Sequence, residues 1–146
     1  MDSKINDQSK TLENLGKELT KIQYDFKIKD NTSEKYWEKR IKEFDIYHKK
    51  TIEYFSHAYN LMKITDNEMA GLFILRLGKL KVLGTKLLEN MEKVKQNPSV
   101  MNLKDKQQSK WSIEQREQLI TLNNEILNHE KKMNIFFREF FEKSEK

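Results

Sequence analysis

The chain has 146 residues, 35% of them charged and 36% apolar, with a net charge of +5, four glycines, one proline and no cysteine. That length suits one domain, and an apolar share below the roughly 45–50% of ordinary soluble domains favours a thin helical bundle over a thick layered core. Sandwiches, barrels and Rossmann-type folds need many more turn residues, and without cysteine there are no disulfides, thiolate nucleophiles or thiolate metal sites.

The N-terminus, MDSKINDQSK, has no apolar core of a signal peptide. The longest uncharged apolar stretch, Met69 to Leu75, is far short of the roughly 20 residues that span a bilayer. A soluble, cytoplasmic protein is therefore expected. Only Arg40, Arg76, Arg116 and Arg138 join the lysines among the basic residues. Forked contacts to bases and phosphates favour arginine, so the composition gives little support to sequence-specific nucleic-acid readout.

From Ile5 onward, Gln8, Leu12, Leu15, Leu19, Ile22 and Phe26 follow in steps of three and four, the spacing of a heptad seam, and predict helix one over about 4–29. Asp30-Asn31-Thr32-Ser33 breaks it, and Asn31, Thr32 or Ser33 can cap the next helix. Helix two, about 33–63, carries a second seam of Trp37, Ile41, Phe44, His48, Thr51, Phe55, Ala58 and Met62, with Tyr36, Tyr47 and Tyr54 beside it. Thr65-Asp66-Asn67-Glu68 has the form of a capping box and predicts helix three over about 66–96, its stripe formed by Met69, Leu72, Leu80, Leu83, Leu87, Met91 and Val94. Residues 97–111 lack periodicity and read as a loop. Helix four follows over about 112–143, with Leu119, Leu122, Ile126, Met133, Phe137 and Phe140 on one face. The first two linkers are short, which forces sequential helices antiparallel. The expected fold is all-α, an elongated antiparallel four-helix bundle with coiled-coil-like heptad packing in a single domain. Helix one either packs in its own bundle or swings out to exchange with another copy.

No enzyme signature emerges. The histidines are His48, His57 and His129, there is no HExxH, and Glu125 stands four residues before His129 where the di-iron bundle signature requires three. A non-enzymatic protein without metal or cofactor, and with no evident small-molecule substrate, is expected. Four features remain. Arg76 falls inside the helix-three stripe, and an antiparallel register brings Glu130, His48 and His129 to the same level, so these residues can form a buried polar layer in which Glu130 pairs with Arg76; alternatively Arg76 snorkels to water. Helix three is apolar nearly all round. Gly71, Ile74, Leu75, Gly78, Val82 and Thr85 lie opposite its stripe, a surface for helix one, a second copy or a partner helix. The end of helix four, MNIFFREFF, places Phe136 and Phe141 beyond one stripe, as core filling or as a partner anchor. Finally, Lys93, Lys95, Lys104, Lys106 and Lys110 give a modestly positive tip.

The leading expectation is a helical protein–protein interaction module, an adaptor, regulator or assembly subunit. It would bind a protein partner or its own copy through the back of helix three and the Phe-rich end of helix four. The alternative is an electrostatic binder of nucleic acid or an anionic membrane through the Lys79–Lys110 tip.

Overall fold

The computed structural model describes residues 2–22, 24–27, 32–102 and 109–144, with Asp2 and 140–144 by backbone alone. Its elements are α1 (Asp2–Lys21), α2 (Glu34–Ile64), α3 (Ala70–Gln96) and α4 (Lys110–Ser144). A short 3-10 helix, Pro98–Met101, lies between the last two, and the described residues contain no strand. The molecule is a helical bundle.

Cross-helix pairs fix its direction. Gln8 meets His57 and Glu18 meets Lys50, so α2 runs back along α1. Phe55 packs on Phe73 and His48 lies against Gly84, so α3 runs back along α2. Asn90 meets Gln115 and Arg76 meets His129, which sets α4 antiparallel to α3. Sequential helices are therefore neighbours, and α1 packs along α2 of its own chain.

The seam of α2 is the spine of the core. Ser33 caps the helix, its hydroxyl accepting from the Tyr36 N–H, and Trp37, Phe44, Phe55, Ala58 and Met62 are buried along one side. Leu119, Leu122, Ile126, Met133 and Phe137 of α4 are buried opposite Leu77, Leu80, Leu83, Leu87 and Met91 of α3. Val100 and Met101 close one end of this core, and the Val100 carbonyl accepts from Arg116.

Three boundaries differ from those the heptads suggest. Helix one stops at Lys21 instead of about 29, and residues 24–27 are non-helical. Tyr24 and Phe26 are bulky rings, and both gain more by turning inward than by continuing the seam. Tyr24 stacks on Tyr47 at 5.6 Å and lies 5.2 Å from the Phe44 ring, while Phe26 meets Tyr24 edge-on at 4.9 Å. The Asp25 carboxylate accepts from the Lys27 N–H, and the Asn123 amide of α4 donates to the Phe26 carbonyl, so the freed backbone is held.

Helix three begins at Ala70 instead of 66, because Thr65 closes α2 and Asp66 takes a left-handed φ of 56°. The Asn67 side chain then accepts from the Met69 N–H at 2.8 Å. The first turns of α3 are also rotated relative to the expected stripe. Met69 and Leu72 are exposed, while Phe73 and Leu77 are buried. Phe73 brings the larger apolar surface, and its ring finds Phe55, Phe136 and Phe137 within about 6 Å. Helix four begins two residues early, at Lys110, with the Ser109 hydroxyl accepting from the Ser112 N–H. The expected 97–111 loop therefore includes a 3-10 turn and the first residues of α4.

Candidate functional site

The outer face of α3 is the first candidate surface. Gly71, Leu75, Gly78, Val82 and Thr85 recur about once per turn on the side away from the buried stripe, and all are exposed, Leu75 by 72% and Val82 by 53%. Ile74 is half-buried at its edge. Nothing lies within 4 Å of where a Cβ would stand on Gly71 or Gly78. Helix α1, the internal candidate for covering this face, packs on α2 instead. At the α3–α4 edge, Ile135 of α4 is 54% exposed and borders a shallow hollow with Arg76, Lys132, Phe136 and Glu139. Phe136 itself is half-buried and stacks on Phe73 at 6.0 Å, so it serves the chain's own core as well as the rim. The Phe141 side chain lies outside the described residues.

The four polar residues expected to share one layer are at similar heights but face different ways. Glu130 is 4% exposed and turns toward α2, where Tyr47 donates to its Oε2 at 2.8 Å. Arg76 therefore does not pair with Glu130. It sits at the α3–α4 edge, half-buried, with no ion pair among the described residues and with Nε lacking a hydrogen-bond partner. The reason is the rotation of α3: with Phe73 and Leu77 inward, Arg76 moves off the centre of the stripe. His129 turns toward α3, its Nε2 donating to the Arg76 carbonyl at 2.6 Å, which places the ring proton on Nε2. His48 is buried face-on against Phe44 at 5.1 Å, with Nδ1 unpartnered. Burial lowers the pKa of both histidines, so both are neutral at pH 7.

Beside Glu130 lies a cleft of about 310 Å³ between α1, α2 and α4. Its walls are Gly16 and Leu19 of α1, Tyr54 and Phe55 of α2, and Glu130 itself, with Tyr47 alongside. Burial pushes the Glu130 carboxyl up to about 7 against the opposing Tyr47 hydrogen bond, and Oε1 has no partner. The same burial, with Glu130 adjacent, raises the Tyr47 hydroxyl well above its usual range. An uncompensated buried carboxyl beside open volume is unlike a structural ion pair.

The positive tip is partly spent within the chain. Lys95 pairs with Glu92 at 3.2 Å, and Lys93 lies in the last turn of α3, where a cation answers the helix dipole. Lys110 is exposed at the start of α4; Lys104 and Lys106 lie outside the described residues.

Several buried polar groups lie outside the seam residues expected from the sequence. Arg40 lies 5.0 Å from the centre of the Tyr24 ring, a cation–π contact in the core, with Nη2 unpartnered. Asn90 donates to Gln115 and Gln118 across the α3–α4 seam. Arg40 falls on the Trp37–Ile41–Phe44 side of α2, and that position is its only signal in the sequence.

Among the described residues no helix is long and apolar enough to cross a membrane, and no group of three or more His, Asp or Glu side chains is arranged to hold a metal ion. The chain matches no family model, and no curated protein or solved structure is significantly similar to it.

Proposed function

We propose that the protein is a non-enzymatic helical interaction module, an adaptor, regulator or assembly subunit, that receives an amphipathic helix of a partner protein on the outer face of α3 and the adjoining edge of α4. The observation that carries this reading is the exposed apolar pair Leu75 and Val82 beside two glycines with open space above them, with Ile135 also exposed on the neighbouring α4. Glycine inside a helix costs about 1 kcal/mol relative to alanine, and close approach by another backbone is a use that offsets it. Arg76, Lys79, Lys86 and Lys132 flank this surface against two carboxylates, Glu89 and Glu139, so its charge is net positive and the partner helix carries carboxylates beside its apolar stripe. Two copies docked face to face would bring these cations together, which favours a different protein over self-association.

A photo-crosslinking residue at Leu75, used in the cells that make the protein, tests this. One defined adduct is expected, lost on Gly78→Glu and not formed from the same residue placed at Glu43 on the exposed side of α2. Equal labelling from both positions, or labelling unaffected by Gly78→Glu, would exclude this face. Light scattering should give a monomer; a dimer abolished by Gly78→Glu would replace the acidic partner with a second copy.

A further inference from the structure

The cleft between α1, α2 and α4 has the chemistry of a small-molecule site, and nothing in the docking surface on α3 uses it. Its volume of about 310 Å³ lies at the lower end of the range for such sites. Three features define what could occupy it. The first is Glu130, buried with one oxygen bonded to Tyr47 and the other unpartnered. The second is the aromatic wall: the Tyr54 and Phe55 rings meet at 5.7 Å, and Tyr47 completes it. The third is the absence of a cation among the lining residues, where α1 brings Gly16, Leu19 and Thr20 and α4 adds Asn134. Lys50 of α2, next in sequence to the lining Thr51, is held by Glu18 at 2.8 Å and Glu53 at 3.4 Å.

We propose that this cleft binds a small organic amine, its ammonium donating to the Glu130 carboxyl and its apolar body lying against the rings of Tyr47, Tyr54 and Phe55. An ammonium compensates the buried carboxylate by a charge-assisted hydrogen bond, and the ring faces attract it as well. An anion would meet a carboxyl and no cation among the lining residues, and a neutral ligand would leave the carboxylate uncompensated. Water alone fills the volume but supplies no charge.

Burial holds Glu130 up at about 7, so at pH 8 the carboxyl is largely ionised and a bound ammonium faces an anion; below 7 the site protonates and loses that partner. Tyr47 and Tyr54 are the other titratable groups in the cleft, both raised by burial and neutral throughout this range. Nothing titratable lines it from α1 or from the rest of α4.

The probe is phenethylamine, compared with 2-phenylethanol, which has the same shape and no charge, in amide NMR titrations of the full chain at pH 8. Saturable shifts at Gly16, Thr20, Thr51 and Asn134 are expected with the amine, and binding of the alcohol should be weaker by on the order of tenfold. Glu130→Gln should remove the preference between the two. Gly16→Leu fills the cleft from α1 without altering Glu130, since a Cβ there would meet only the Tyr54 ring at 3.7 Å, and it should abolish the shifts with helicity retained. Equal binding of both probes, no saturable shift, or shifts that survive Gly16→Leu would each overturn the proposal.

Discussion

Glu130 is the residue whose chemistry departs furthest from the rest of the bundle. Its carboxyl titrates near 7 in the folded chain against about 4.5 when free, so the native state holds its proton more tightly than the unfolded state does. Above pH 7 both states are ionised and the fold carries the whole desolvation cost, roughly 3 kcal/mol from that difference; as pH falls from 7 toward 4.5 the native carboxyl protonates first and the cost disappears. His48 and His129 act the other way. Burial lowers their pKa, so protons favour the unfolded state as pH falls through about 6.5. Denaturant melts of wild type and Glu130→Gln from pH 5.5 to 8.5 separate the two effects. The variant should be the more stable at pH 8.5 by up to about 3 kcal/mol, and the difference should shrink toward pH 5.5. A difference independent of pH would mean that Glu130 is ionised, and compensated, throughout.

At the level of one helix, α3 shows what periodicity resolves and what it leaves open. Its existence, its end before Pro98 and its buried second half from Leu80 to Val94 were legible, because those positions keep one face for four turns. The first turns were not. Leu72, Phe73, Ile74, Leu75 and Leu77 surround the helix with apolar residues, so no wheel can choose a face; packing of the Phe73 ring chooses it. Once α3 turns, Arg76 leaves the centre and Glu130 loses its expected partner, which is why the polar residues were legible as a level of the bundle but their bonds were not. Helix α1 ended early for a related reason. Ile22, Tyr24 and Phe26 alternate with polar residues, a period-two signal that competes with the heptad and marks the break.

The two kinds of glycine in α3 give a direct check on the rotation. Gly78→Ala adds a methyl to open space and removes the entropy penalty, so it should stabilise by about 0.5–1 kcal/mol. Gly84→Ala drives a Cβ into the buried His48 ring and should destabilise by about 1–3 kcal/mol. Thermal melts of the pair read the phase of the helix: similar effects from both would place the two glycines in similar surroundings.

Over the whole molecule, the layers are unequally anchored. Leu12 and Leu15 are the buried apolar side chains of α1 among the described residues, whereas α2, α3 and α4 each bury a full stripe in one shared cluster. Along its length α1 rests on α2, and toward α4 it borders the cleft. Its surface ties, Lys50 to Glu18 and Gln8 to His57, are exposed or half-buried and contribute little. At its C-terminal side the aromatic turn of Tyr24 and Phe26, held by Asn123, is the stronger anchor. Local opening follows buried apolar contact, so α1 should open as a unit while α2–α4 stay folded. In hydrogen exchange the amides of α1 should share one opening free energy well below that of Leu80 to Met91 in α3, and Asn123→Ala should lower it further without changing the α3 value. If α1 and α3 exchange together in the wild type, α1 is an integral layer of the core, and the cleft at its edge is as rigid as the rest of the bundle.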